Sequence, residues 1–124
     1  MTFRSIWIVA VLCLTCSGLA AAGGQPPAGT AAAHPLDPLS EPEIGEAFAL
    51  LKADPRVPQG AFFPTLVLQE PPKTALLAWR PGAAFARQAY AEIFDRPGNR
   101  SYEAVLDLRA RRVVSWTPRP GVQP

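Results

Sequence analysis

The chain has 124 residues, which bounds it to one domain with a tail and one modest core. Its 12 Lys and Arg against 10 Asp and Glu leave a net charge of +2. No basic stripe interleaved with aromatics runs through it, which argues against a nucleic-acid partner.

The N-terminus reads as an export signal. Arg4 is the sole charge before an apolar run from Ile6 to Cys16, and Ser17, Gly18 and Ala20 to Ala22 follow as small residues. That is the order of a secretory signal peptide with cleavage after Ala22. The run is short for a membrane span, so a retained anchor is the weaker reading. Both cysteines, Cys13 and Cys16, lie inside this segment. Lipid attachment at Cys16 is disfavoured, because Cys13 stands three residues before it where leucine is preferred. Cleavage would leave a chain with no cysteine, hence no disulfide, thiolate metal site or cysteine nucleophile. The expected location is secreted or periplasmic, with no membrane contact after cleavage. Residues 23–36 are rich in small residues and proline and read as a flexible leader.

Ser40-Glu41-Pro42-Glu43 predicts a helix start. Ser40 can cap, Glu43 stands where a capping box needs it, and Pro42 falls in the first turn. Ile44, Ala47, Phe48 and Leu51 then form one apolar stripe, ended by Asp54-Pro55. A helix of this length is marginal alone and needs a partner face. Ala61 to Glu70 reads as a strand, with Pro64 placing it at an edge or bend. Thr74 to Arg80 is ambiguous. Phe85 to Phe94 carries both a helical stripe and mixed strand faces, and the tight-turn sequence Arg96-Pro97-Gly98-Asn99 after it favours a strand. From Tyr102 the period is two. Tyr102, Ala104, Leu106 and Leu108 share one face, and Glu103, Val105 and Asp107 the other. Arg109 to Arg112 predicts a hairpin turn. Val113, Val114 and Trp116 predict the return strand, stopped by Pro118 and Pro120. Thr117 to Pro124 reads as a linker toward a further domain.

Candidate chemistry is sparse. His34 is the single histidine, with only Asp37 near it, and reads as plain surface. Glu41, Glu43 and Glu46 complement a helix N-terminus more readily than they build an acid–base pair. Arg109, Arg111 and Arg112 fit a solvated turn better than an anion site. Phe62, Phe63, Trp79, Tyr102 and Trp116 fit a core better than a ligand groove. No Gly-rich phosphate loop, Ser-His-Asp set or paired cysteines are present. No catalytic, cofactor-binding or metal-binding residue is therefore assigned.

Three phrases carry a resemblance: HPLDPLS before the helix, ADPRVPQGAFFPTLVLQEPPK after it, and YEAVLDLRARRVVSWTPRPGVQP. Together they resemble the small N-terminal α+β domain of the copper- and topaquinone-dependent primary-amine oxidases, from about His34 onward. The resemblance implies an α+β fold, with one helix packed on a four-stranded antiparallel sheet and strands near 61–70, 84–95, 100–108 and 112–117. It resolves Phe85 to Phe94 as strand. The boundaries that follow are signal peptide 1–22, leader 23–36, domain 37–118 and linker 119–124. The partner it implies is a downstream catalytic domain, in a family that is usually homodimeric. The family's chemistry needs copper on three histidines, a quinone-forming tyrosine in an Asn-Tyr-acid motif, and an aspartate base. Here there is one histidine, and neither Tyr90 nor Tyr102 follows an asparagine. No copper, topaquinone or catalytic residue can be placed in this chain. Two readings follow: the accessory region of an exported amine oxidase, or a free-standing exported binding or inhibitor module of the same shape.

Overall fold

The computed structural model describes residues 32–122. The expected signal peptide, the leader up to residue 31 and the last two residues of the expected linker lie outside the described residues. The elements run α1 (Glu41–Ala53), β1 (Phe62–Leu68), α2 (Lys73–Ala78), β2 (Gln88–Asp95), β3 (Arg100–Asp107) and β4 (Arg112–Arg119). The strands form one antiparallel sheet in the order β1-β2-β3-β4, so each strand lies beside its sequence neighbour. This is the α+β fold that the sequence predicts.

The α1 start follows its sequence signals. The Glu43 carboxylate accepts from the Ser40 backbone N–H at 2.8 Å and from the Ser40 hydroxyl at 2.9 Å. One side chain thus satisfies a backbone donor at the helix entrance. The helix buries Ala47 and Leu51 fully, while Ile44, the first residue of the stripe, is 40% exposed. Against them lie Ala89, Ala91 and Ile93 of β2 and Ala104 and Leu106 of β3, with Leu108 just beyond. Small side chains at 89, 91 and 104 let the helix backbone approach the sheet, and Leu51, Ile93 and Leu106 fill the space between. Each of those three contributes about 1.5–3 kcal/mol by leaving water.

Two local readings are corrected and one open segment is resolved. Thr74 to Arg80 resolves into α2, a short helix with no buried residue, so α1 alone supplies the helical layer of the core. β2 begins at Gln88 and not near residue 84. Phe85 instead packs edge-on against Trp79, and the Arg87 side chain turns toward α1. β4 does not stop at Pro118 but continues to Arg119, with Pro118 opposite Tyr102. An edge strand allows this, because the missing N–H faces no neighbour. The same reasoning accommodates Pro64 in β1, the other edge, beside a register shift between Phe62 and Thr65.

Both hairpin turns use left-handed backbone at non-glycine residues, Asn99 at φ 47° and Arg111 at φ 53°. In the β2–β3 turn Asp95 is buried. It accepts from the Gly98 N–H at 3.1 Å and pairs with Arg100 at 2.8 Å. The Arg100 guanidinium and the Gly98 N–H hold the Asp95 carboxyl below its usual range. A side chain at residue 98 would meet the Asp95 carboxylate and the Arg100 guanidinium, so any larger residue there must push that pair aside.

Candidate functional site

Three surfaces gather the polar and aromatic side chains. The first is a clamp centred on Arg87. Its guanidinium donates to Glu43 Oε1 at 2.8 Å and Oε2 at 2.9 Å, and also to the Asp37 carbonyl at 2.8 Å and the Pro38 carbonyl at 3.1 Å. Upstream, Asp37 accepts from the backbone N–H groups of Ala33 and His34, both at 2.8 Å. A fork of donors thus ties the incoming loop, the α1 N-terminus and the start of β2 into one unit. Hydrogen bonding from Arg87 lowers the Glu43 carboxyl to about 2, aided by Ser40 and opposed by burial. Glu43 is therefore ionised at neutral pH, with its carboxylate engaged by Arg87 and Ser40.

The second surface is the sheet face turned away from α1. Across the strands, Val67 lies opposite Tyr90, and Tyr90 opposite Val105. The next row places Thr65, Glu92, Glu103 and Thr117 side by side. Two carboxylates thus stand directly opposite each other, an arrangement that destabilises a sheet unless offset. Thr65 donates to Glu92 at 2.7 Å, Tyr90 reaches Glu92 at 3.4 Å, and Arg119 pairs with Glu103 at 3.1 Å. Burial first, and then Glu103 and Glu92, push the Tyr90 hydroxyl up to about 12. At neutral pH it is a donor and not a base.

The third surface is an open apolar groove of about 340 Å³ lined by Pro72, Leu76, Trp79 and Phe85 among others. Trp79 donates its indole N–H to the Ala83 carbonyl at 2.9 Å and so is satisfied within its own loop.

The residues singled out from the sequence scatter across these surfaces. His34 is half-buried and not plain surface: its ring meets Trp79 edge-on at 4.8 Å, and its Nδ1 accepts from the Leu36 N–H at 3.1 Å. Glu43 joins the clamp, Glu46 pairs with Arg111 at 3.3 Å, and Glu41 is exposed. Arg109 and Arg112 are also exposed, and Arg111 is turned to α1, so the three arginines form no shared anion site. The aromatics occupy separate places. Phe63 packs on Phe48, Tyr102 on Trp116, and Phe62 lies under Arg96. Sequence reasoning missed Arg87, because its partner Glu43 is 44 residues away and no local pattern joins them. It also missed the Glu92–Glu103 opposition, which exists only in the β2–β3 register.

Among the described residues, no three His, Cys, Asp or Glu side chains converge as a metal site. His34 spends one ring nitrogen on Leu36 and its ring on Trp79, so the donors here do not fit copper. No buried side-chain polar atom lacks a partner among the described residues. No described helix is long and apolar enough to cross a membrane.

Residues 34–119 match the family described as copper amine oxidase, N2 domain. The chain is 48% identical over 83 residues to a primary amine oxidase of Arthrobacter sp. (strain P1), covering 67% of this chain and 12% of that protein. It is 35% identical over 89 residues to the primary amine oxidase of Klebsiella aerogenes, covering 71% of this chain and 12% of the relative. It is 34% identical over 89 residues to the copper-containing amine oxidase gamma 2 of Arabidopsis thaliana, covering 70% and 13%. A helix on a four-stranded meander, with this match across most of its length, places the chain in the copper amine oxidase N2-domain family. The chain spans about an eighth of the length of the relatives it matches.

Proposed function

We propose that this chain is the N-terminal accessory region of an exported, copper- and topaquinone-dependent primary-amine oxidase, itself structural and non-catalytic. The oxidase would convert primary amines to aldehyde, ammonia and peroxide in a downstream domain. The single observation that carries this reading is the match of residues 34–119 to the N2 domain, where relatives continue into a far longer protein. The donor set supports the non-catalytic part. Glu43 is consumed by Arg87, and Tyr90 is held protonated. His34 is engaged by its neighbours. No residue is assigned a catalytic, cofactor or copper-binding role. The signal-like N-terminus supports export, with the mature chain beginning near Gly23, a leader to residue 36, the domain over 37–118 and a linker from 119.

The experiment is to sequence the gene downstream of codon 124. The expected result is a continued or frameshifted reading frame encoding a histidine-bearing, β-rich domain. An unrelated gene after a clean stop would sink the proposal and favour the free-standing binding module.

A further inference from the structure

The sheet has two faces, and only one of them meets α1. An antiparallel sheet with one solvated face alternates apolar inward and polar outward. This sheet keeps to that rule in the row of Thr65, Glu92, Glu103 and Thr117 but departs from it elsewhere on the face. On its outer face β1 carries Val67, β2 carries Tyr90 and Phe94, and β3 carries Val105. Val67 is 49% exposed. An apolar row of this kind on a face that α1 leaves uncovered is suited to burial against a further surface.

The same face carries unbalanced charge. Glu92 and Glu103 oppose each other across β2 and β3. Arg119 answers Glu103, whereas the contacts of Glu92 are the hydroxyls of Thr65 and Tyr90. The backbone also leaves the described fold over this face. After β4 a turn with Gly121 at φ 77° brings Val122 back to Ser101, whose hydroxyl donates to the Val122 carbonyl. Val122 borders a small cleft with Pro64, Glu92, Phe94, Glu103 and Arg119, drawn from all four strands at one end of the sheet.

We propose that the outer sheet face is where this domain docks on the downstream part of the amine oxidase polypeptide. The docking surface of that part presents a Lys or Arg to Glu92 and apolar side chains to Val67, Tyr90 and Val105. This rests on the accessory-domain reading above and specifies the face and its chemistry. Three observations select the occupant: the exit of the chain over this face, the apolar row across three strands, and the acidic pair with a single cation. A relative of which the match covers only 12% supplies enough polypeptide to cover it.

The test is cysteine accessibility in two settings: the 124-residue chain alone, and the same domain set into the Arthrobacter primary amine oxidase in place of its 83 matching residues. Val67→Cys and Thr117→Cys report the outer face from β1 and β4, and Ala49→Cys reports the outward side of α1. Maleimide labelling at each position is read by peptide mass, and each protein's thermal melt confirms folding. The expected result is at least tenfold slower labelling at 67 and 117 in the fusion than in the isolated chain, with position 49 equal in both. Protection at 49 but not at 67 or 117 would overturn the choice of face and leave the accessory reading standing. Equal labelling at all three positions would overturn the accessory reading as well. Concentration-dependent protection of 67 and 117 in the isolated chain, with a dimer in sedimentation, would assign the face to a second copy and overturn the proposal. A second arm keeps the charge argument separate: Glu92→Lys should raise labelling at 67 in the fusion severalfold, and no change would remove the basic partner from the proposal.

Discussion

Replacing Arg87 with methionine keeps the aliphatic stem and removes five donors. The Glu43 carboxyl falls from 4.5 to about 2, chiefly through its hydrogen bonds to Arg87. By linkage a fall of that size corresponds to about 3 kcal/mol in favour of the ionised, paired carboxylate. The Arg87 side chain is 12% and the Glu43 side chain 21% exposed, so solvent screening reduces this to about 1.5–2 kcal/mol. The two carbonyl contacts, Asp37 and Pro38, add about 1 kcal/mol together after exchange with water. Arg87→Met should therefore cost about 3 kcal/mol in urea unfolding at pH 7. A double-mutant cycle with Glu43→Gln should return about 1.5–2 kcal/mol of coupling. The pH dependence has a definite sign. A carboxyl depressed in the folded state stabilises above its ordinary value, and that contribution is lost as pH falls from about 4.5 toward 2. Subtracting the Arg87→Met curve from the parent should isolate this window, since Asp54 and Asp95 titrate in both proteins. A cost below about 0.5 kcal/mol, or parallel curves from pH 5 to 2, would refute the assignment of the clamp as the tie between α1 and the sheet.

Four further outcomes follow from the same geometry. Leu106 is fully buried under α1, so Leu106→Asp should cost about 3 kcal/mol or more, while Glu103→Gln should stay within about 0.5 kcal/mol; equal losses in a urea melt would reverse the strand faces. Gly98→Ala should lower the urea midpoint by pushing Arg100 off Asp95, and much less so in an Asp95→Asn background, where there is no ion pair left to break. N-terminal sequencing of exported material should begin at or near Gly23, and a chain retaining Met1 would contradict the signal reading. Elemental analysis after dialysis against micromolar copper should find no stoichiometric metal, and the chain alone should yield no peroxide from primary amines. One tightly held copper with amine-dependent peroxide would refute the non-catalytic reading.

The sequence by itself determined the local elements. Ser40 and Glu43 mark the start of α1 because a capping box is built within four residues. The period of two from Tyr102 to Leu108 sets which side of β3 is buried, because strand geometry alternates residue by residue. The single histidine excludes a three-histidine copper site within this chain without any coordinates. What the tertiary structure decided were relations between residues far apart in sequence. Phe85 to Phe94 gives no clear period, because two of the inward positions of β2 are alanines. Their smallness makes sense only once α1 is seen to pack there. Proline at 118 is tolerated because β4 has a neighbour on one side alone, a property of strand order and not of the segment. The clamp joins residues 37, 38, 43 and 87, and the acidic row joins 92 and 103. Neither has a local signature, since a charge's partner is fixed by distance in space and by the sheet register, which only the folded chain sets.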